Sequence, residues 1–351
     1  MFFKKYNVNE IVNVNKIGII MFGLMGDVIL RTPVLKALKK LYPEATIVAL
    51  VDPIGYAVLE YNSLVDEVLI LDRNKEKNKL KQNLKKIKAI FRVRKQKFDL
   101  IVNLYNAGVS RPMVLFSGAR YKLGFCKQKN KFLYNVKNEC KDNRLKEAQS
   151  LYNYMISIVE PLSKKKYSLK PIFEVPQSAL EKMNSYLQTL NYAQDKIYIL
   201  NLGASKEDKI LEFEKYLYIV QYIYEQYKFI PMIISNPGQE YLQTRFIKEY
   251  LQKQKHIPYI KLPSLKLQDV AALIQMTKFI ITPDTGLMHL AMCFDNYIMT
   301  IFTYTHPIFV DPNNNRFISV YEHFNKDVYY QKQNISKKNL QKAIIKLFSA
   351  E

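Results

Sequence analysis

Short runs of unbroken apolar side chains, each followed by a stretch with apolar residues three and four apart, constrain this chain more than any other feature. Lys16–Gly23 (KIGIIMFG) is such a run and ends in glycine. It lacks the polar alternation of a one-sided sheet, so it reads as a parallel strand buried on both faces. Behind it, Asp27–Leu41 carries Val28, Ile29, Val34, Leu35, Leu38 and Leu41, a helical stripe. Pro33 is tolerable only near a helix's first turn, which leaves the start of this helix open. Further strands are expected at Thr46–Val51, Glu67–Leu71 and Asp99–Leu104. Between the last two, Leu80, Leu84, Ile87 and Phe91 recur at helical spacing, and eleven Lys or Arg residues between Lys75 and Lys97 cover the rest of that helix. Strands resume at Ile197–Leu202, Phe229–Ser235, Phe279–Thr282 and Tyr297–Phe302, again with helical patterns between them.

The stretch from Glu160 to Ser178 holds Pro161, Pro171, Pro176 and the triple lysine Lys164–Lys166, shows little periodicity, and reads as a linker. A chain of 351 residues has the usual size of two domains. The expected organisation is therefore α/β: a doubly wound domain over residues 1–165, a linker over 166–178 and a second doubly wound domain over 179–351. Ligands of such folds bind beyond the carboxyl ends of the strands, and a cleft shared by the two domains is the default site.

Charge divides the same way. Residues 1–170 hold 33 basic and 14 acidic side chains, net +19, whereas residues 171–351 hold 20 and 17, net +3. A field confined to one half attracts polyanions: nucleic acid, an anionic membrane surface or a phosphorylated substrate. The bland alternative is a lysine-rich composition, which would not spare the second half. With 48% hydrophobic and 24% charged residues the chain is neither disordered nor fibrous. No apolar run reaches the roughly 20 residues of a membrane-spanning helix, and the N-terminus reads as a poor secretory signal. Cys126, Cys140 and Cys293 lie far apart, without metal-ligand or redox spacing. They point to a reducing compartment, and the chain is expected to be cytosolic.

Four segments at strand ends carry candidate chemistry. Gly23-Leu-Met-Gly26-Asp27 follows the first strand; its two glycines, Gly23 and Gly26, permit a tight turn and close approach to a ligand. It lacks the third glycine of the dinucleotide fingerprint. On spacing alone Asp27 reads first as a helix cap, although a carboxylate facing a cleft could accept a proton from a sugar hydroxyl. Gly203-Ala-Ser205-Lys206-Glu-Asp-Lys209 suits either a phosphate-binding turn or a solvated loop. Ser235-Asn-Pro-Gly-Gln-Glu240 by itself is a turn followed by a helix start. Thr282-Pro-Asp284-Thr285-Gly286-Leu287-Met-His289 packs a carboxylate, a hydroxyl, a glycine and an imidazole into six residues at a strand-to-helix turn, which favours binding over structure.

The string PDTGLMHLA resembles the signature of glycosyltransferase family 9, the lipopolysaccharide heptosyltransferases. GDVILRTPVLKALKKLYPEATIVALV, FDLIVNL, SGARYKLGF, GASKEDK, NPGQE and FTYTHP are similar to further segments of that family and follow in its order, along nearly the whole chain. The resemblance implies two Rossmann-like domains facing across a cleft (the GT-B architecture). It implies inverting, metal-independent sugar transfer from ADP-L-glycero-D-manno-heptose to the lipid A–Kdo inner core, with no cofactor. On this resemblance Asp27 becomes the general base, and Lys209 contacts donor phosphate, where its charge stabilises the leaving ADP. Ser205 adds a hydrogen bond there, and Glu240 lies near the nucleotide. Asp284, Thr285, Gly286, Leu287 and His289 fall on the donor-binding loop.

Two departures touch the expected donor pocket. The family often has tryptophan two residues after the lysine, where this chain has Leu211 and no tryptophan anywhere; its later Phe-Gly-Pro-Thr segment reads Phe302-Thr303-Tyr304-Thr305. The net +19 domain suits an anionic lipid A–Kdo acceptor at the cytoplasmic face of the inner membrane. Lys75–Lys97 and Arg120–Lys131 are expected to form part of that peripheral surface, with no nucleic acid expected. The competing readings are a relative using another nucleotide sugar or a protein acceptor, and a non-catalytic basic α/β protein that binds nucleic acid or membrane.

Overall fold

The computed structural model describes residues 4–349 apart from 75, 106, 126–127, 138–149, 164–166, 169 and 325–329. Lys75, Cys126, Cys140, Lys164–Lys166 and part of the Arg120–Lys131 stretch thus lie outside the described residues. The chain divides into two compact units, Met1–Glu174 and Val175–Glu351.

In the first unit five strands, β1 (Lys16–Ile20), β2 (Thr46–Val51), β3 (Glu67–Ile70), β4 (Leu100–Asn103) and β5 (Tyr121–Gly124), form one parallel sheet in the order β3-β2-β1-β4-β5. The helices are α1 (Met25–Leu41), α2 (Pro53–Leu59), α3 (Lys79–Lys95), α4 (Ser110–Phe116) and α5 (Leu151–Ile156). Residues 17–20 of β1 and all of β4 and β5 are buried; in β1 and in Leu100–Val102 of β4 this is the burial a continuous apolar run requires, whereas β5 carries Lys122 inside.

The second unit repeats the plan with β6 (Ile197–Asn201), β7 (Ile230–Ile234), β8 (Ile260–Lys261), β9 (Phe279–Pro283), β10 (Tyr297–Ile301) and β11 (Phe317–Val320). Its parallel order is β11-β10-β9-β6-β7-β8. Its helices are α6 (Gln177–Gln188), α7 (Phe213–Tyr227), α8 (Glu240–Glu249), α9 (Leu267–Met276), α10 (Gly286–Ala291) and α11 (Lys337–Ser349). Tyr198 stacks on Phe279 at 4.8 Å between ring centroids, at the centre of this core. In each unit the winding reverses beside the first strand, between β1 and β4 and between β6 and β9. Those two reversals are where an open α/β sheet leaves a crevice at its carboxyl edge.

Several expectations need correction. Pro33 lies in the ninth position of α1, well past the first turn. The missing amide is replaced locally: Thr32 Oγ1 donates to the Ile29 carbonyl at 2.7 Å, the acceptor that a residue at position 33 would normally serve. The helix of residues 79–95 forms, but its Leu80, Leu84, Ile87 and Phe91 stripe faces solvent. Val93, with Ala89 and Ile90, makes the contact with the core instead. The proline-rich stretch is partly packed: Leu162 ends a buried 3-10 turn, the Ile172 N–H donates to Thr32 Oγ1 at 2.8 Å, and Ser63 donates its N–H and Oγ to Glu174. Among the described residues no helix is long and apolar enough to cross a membrane.

Candidate functional site

Polar groups gather at both sheet reversals. In the first unit the chain leaves β1 through Phe22 and Gly23. Gly23 has φ +138°, and a Cβ there would lie 2.6 Å from Asp27 Oδ2, so this turn accepts only glycine. Asp27 occupies the third position of α1, exposed, and its Oδ2 accepts the Leu24 N–H at 2.9 Å. Asp27 is therefore not itself the N-cap, which is Leu24; from the third helical position it reaches back to the N-cap amide, and that hydrogen bond orients the carboxylate. Gly26 is buried in the first turn.

Around this turn stand residues that the sequence reasoning missed. Asp52, directly after β2, accepts the Gly23 N–H at 2.9 Å and binds Arg73 through both its oxygens. The Arg73 guanidinium lies 4.5 Å from the Phe22 ring centroid and 4.6 Å from that of Tyr105, the latter just beyond β4. Arg31, one helical turn after Asp27, is buried and donates to the Phe22 carbonyl. Burial pulls its guanidinium below the ordinary value, opposed first by the charge of Asp27. Its Nε has no hydrogen-bond partner among the described residues. The signal was available: Asp52 and Tyr105 each follow a strand at the carboxyl edge, but no glycine stands directly beside either to mark a turn.

In the second unit three segments converge. Lys209 Nζ lies 2.6 Å from Asp284 Oδ2 and 3.3 Å from the Asp284 carbonyl. Beneath this pair Asn201, the last residue of β6, donates to Thr282 Oγ1 at 2.9 Å and Thr285 Oγ1 at 3.4 Å, and its Oδ1 accepts the Gly203 N–H at 3.0 Å. One amide thereby ties the loop after β6 to the loop after β9. Gln239 Nε2 donates to the Ala204 carbonyl at 2.8 Å, bringing the Asn236–Glu240 turn alongside. A Cβ on Gly203 would lie 2.5 Å from the Asn236 amide nitrogen, so the close approach of these loops depends on that glycine.

The individual candidates divide. Lys209, Asp284 and Thr285 are joined in this network; Gly286 opens α10, and Leu287 and His289 are buried on it. Ser205 is exposed, and Glu240, also exposed, turns its carboxylate back on the Gly238 N–H at 3.2 Å. Leu211, where tryptophan was expected, is buried in the core. The divergent Phe302–Thr305 segment is held by its own contacts. Thr303 Oγ1 donates to the Asp208 carbonyl at 2.7 Å, and its carbonyl accepts the Gln333 N–H at 2.6 Å. Among the described residues no group of three His, Cys, Asp or Glu side chains converges as a metal site.

Two all-parallel sheets of the same winding order, each with a polar cluster at its reversal, define a tandem Rossmann-like α/β protein. The sequence model of glycosyltransferase family 9 (heptosyltransferase) matches residues 87–340, and the chain belongs to that family of glycosyltransferases. It is 22% identical to lipopolysaccharide heptosyltransferase 1 of Campylobacter coli over 299 residues, 82% of this chain and 83% of that one. Its fold is similar to a family 9 glycosyltransferase of Veillonella parvula, with TM-score 0.79 and 19% identity over 97% of this chain and 99% of that one. It is also similar to the E. coli heptosyltransferase WaaC with ADP-2-deoxy-2-fluoro heptose, with TM-score 0.65 and 15% identity over 88% and 93% of the two chains. The α/β class with two Rossmann-like domains is thus as the sequence led one to expect.

Proposed function

We propose that this chain is an inverting, metal-independent heptosyltransferase. It moves a heptose from ADP-L-glycero-D-manno-heptose to the Kdo/heptose inner core of lipopolysaccharide, in the cytoplasm at the inner face of the inner membrane. The observation that carries the reading is the Lys209–Asp284 pair, tied through Thr285 and Asn201 to the β6/β9 reversal in a family 9 chain. Binding of an ADP-heptose analogue by the similarly folded WaaC supports the choice of donor.

In this scheme Asp27 accepts the proton of the acceptor hydroxyl as that oxygen attacks the anomeric carbon. Its Oδ2 is already oriented by the Leu24 N–H. The bond from the anomeric carbon to the diphosphate oxygen breaks as the new glycosidic bond forms, and ADP departs with the bonding pair. Lys209 supplies the positive charge that stabilises this leaving group, while Asp284 holds the ammonium in place before the donor arrives. Thr285, Gly286, Leu287 and His289 shape the sugar and diphosphate site, with Ser205 and Glu240 at its exposed margin.

The test is turnover of ADP-heptose with heptose-deficient lipopolysaccharide. ADP release together with a gain of one heptose in acceptor mass, abolished in Asp27→Ala, is the expected outcome. Transfer that survives in the variant removes Asp27 from the mechanism; no transfer by the parent chain rejects the donor or acceptor. A second reading, a different nucleotide sugar, is favoured by one feature: Leu211, Thr303 and Tyr304 replace residues common in the family at the expected pocket. Competition by a panel of nucleotide sugars against bound ADP-heptose separates the two.

A further inference from the structure

The outward face of α3 has no role in the chemistry above, yet it exposes a row of large apolar side chains. Leu80, Leu84, Ile87 and Phe91 are 74%, 56%, 48% and 67% exposed. Their spacing of four, three and four residues confines them to a strip about 60° wide on a helix of 3.6 residues per turn. Single exposed apolar residues are ordinary, whereas four aligned large ones mark an interaction face. The helix is held down by its other sides. Val93 is buried, Arg92 Nη1 donates to the Ile70 carbonyl at 2.9 Å, and Lys85 binds Asp72 at 2.7 Å and Glu76 at 3.2 Å. The strip is thus presented to solvent by a fixed helix rather than by a loose one.

Charge selects the occupant. The helix sequence KLKQNLKKIKAIFRVRK carries eight Lys or Arg and no Asp or Glu. At helical spacing Lys81, Lys88 and Lys95 border the strip on one side and Arg94 on the other. A second copy docked face to face would set two such helices against each other, a like-charge contact. Nucleic acid would satisfy the cations but offers no apolar phase for the strip. An anionic bilayer satisfies both at once: headgroup phosphates for the lysines and the acyl boundary for the strip. Beside the strip a groove of about 470 Å³, lined by Lys81, Leu84, Lys88 and Arg92 as well as the Lys85-engaged Asp72 and Glu76, offers space for headgroups.

We propose that α3 is an interfacial helix that lies in the plane of an anionic lipid surface, inserting Leu80, Leu84, Ile87 and Phe91 below the headgroups. Seventeen residues give a contact about 25 Å long at 1.5 Å per residue. The inference replaces a purely electrostatic membrane contact with one that needs both apolar insertion and charge. It deepens the membrane location proposed above, and lipid binding is read without donor or acceptor, so the failure of either reading is visible without the other.

The chain has no tryptophan, so Phe91→Trp introduces a single reporter on the strip. With vesicles containing phosphatidylglycerol, its emission shifts to the blue and is quenched by lipids brominated on the acyl chain. Wild-type co-sedimentation with the same vesicles falls at least about tenfold in Leu84→Ser/Phe91→Ser. It falls about fivefold for each cation removed in Lys81→Gln/Lys88→Gln, and that second loss vanishes at high salt. Vesicle binding with an unchanged tryptophan spectrum overturns the proposal, as does equal binding by the serine variant or equal binding to pure phosphatidylcholine. A blue shift that grows with protein concentration without lipid identifies a second copy as the occupant. Saturable quenching by duplex DNA identifies nucleic acid, and either outcome also overturns it. Urea unfolding of each variant, unchanged because the substituted side chains are exposed, separates lost binding from lost fold.

Discussion

Lys209→Met is expected to destabilise the second unit even without substrate. The ammonium lies 2.6 Å from Asp284 Oδ2, with the two side chains 19% and 8% exposed. At an effective dielectric constant of 20, charges at that separation attract by about 6 kcal/mol before desolvation is counted. Methionine keeps the aliphatic stem but leaves Asp284 buried without its cation. Breaking fully buried pairs in this way costs about 3–5 kcal/mol, and the partial access of water to Lys209 lowers the expectation to about 2–3 kcal/mol. Asp284→Asn should recover much of that loss when combined with Lys209→Met, giving a coupling of about 1–2 kcal/mol in the double-mutant cycle. Urea denaturation with probes in each unit is the assay, and the shift should appear only in the transition of residues 175–351. A single-variant change below about 0.5 kcal/mol, or a coupling near zero, would refute the view that the pair is a stabilising feature of the empty site. ADP affinity measured calorimetrically should fall at least about tenfold in Lys209→Met if this lysine meets the diphosphate.

Other outcomes follow from single contacts. Gly23→Ala forces a Cβ into the space of Asp27 at a positive φ, so turnover should collapse while ADP binding on the second unit is unchanged; activity near wild type would show that the turn can relax. Thr32→Val leaves the Ile29 carbonyl and the Ile172 amide without their partner and should cost about 2–3 kcal/mol by chemical denaturation. Adding Pro33→Ala, which returns an amide donor to the helix, should reduce that cost, and strict additivity would reject the account. Burial raises the Tyr134 phenol from 10.0 to about 12 and pushes Tyr198 and Tyr216 up as well. A folded pKa above the unfolded one means that stability is complete below about pH 10 and is lost as pH rises through 10 to 12. Phenolate absorbance should therefore show these tyrosines ionising only with unfolding; complete titration near pH 10 with the far-ultraviolet signal intact would contradict it.

The local alphabet of the chain determined much of this fold. Unbroken apolar runs such as residues 17–20, 197–200 and 279–281 can be satisfied only by burial on both faces, and the alternation with helical stripes leaves a doubly wound sheet as the solution. The four strand-end segments were legible for the same reason, since glycines and polar residues directly after a buried strand must lie at its carboxyl edge. The short strands Tyr121–Gly124, Ile260–Lys261 and Phe317–Val320 were not legible, because Lys122, Lys261 and Ser319 break their apolar runs to one or two residues, too little pattern to separate strand from loop.

Tertiary structure alone decided which side chains meet. Asp52 and Arg73 are 21 residues apart, and Asn201 and Thr282 are 81 apart; no spacing rule links either pair, and only the order of strands in the sheet brings them together. It also decided which face of a helix is inside. The stripe of α3 has the spacing of a buried face, yet Val93 and the anchoring of Arg92 and Lys85 turn it outward. Periodicity records that a helix has an apolar side, whereas the neighbours available to cover that side are a property of the whole fold.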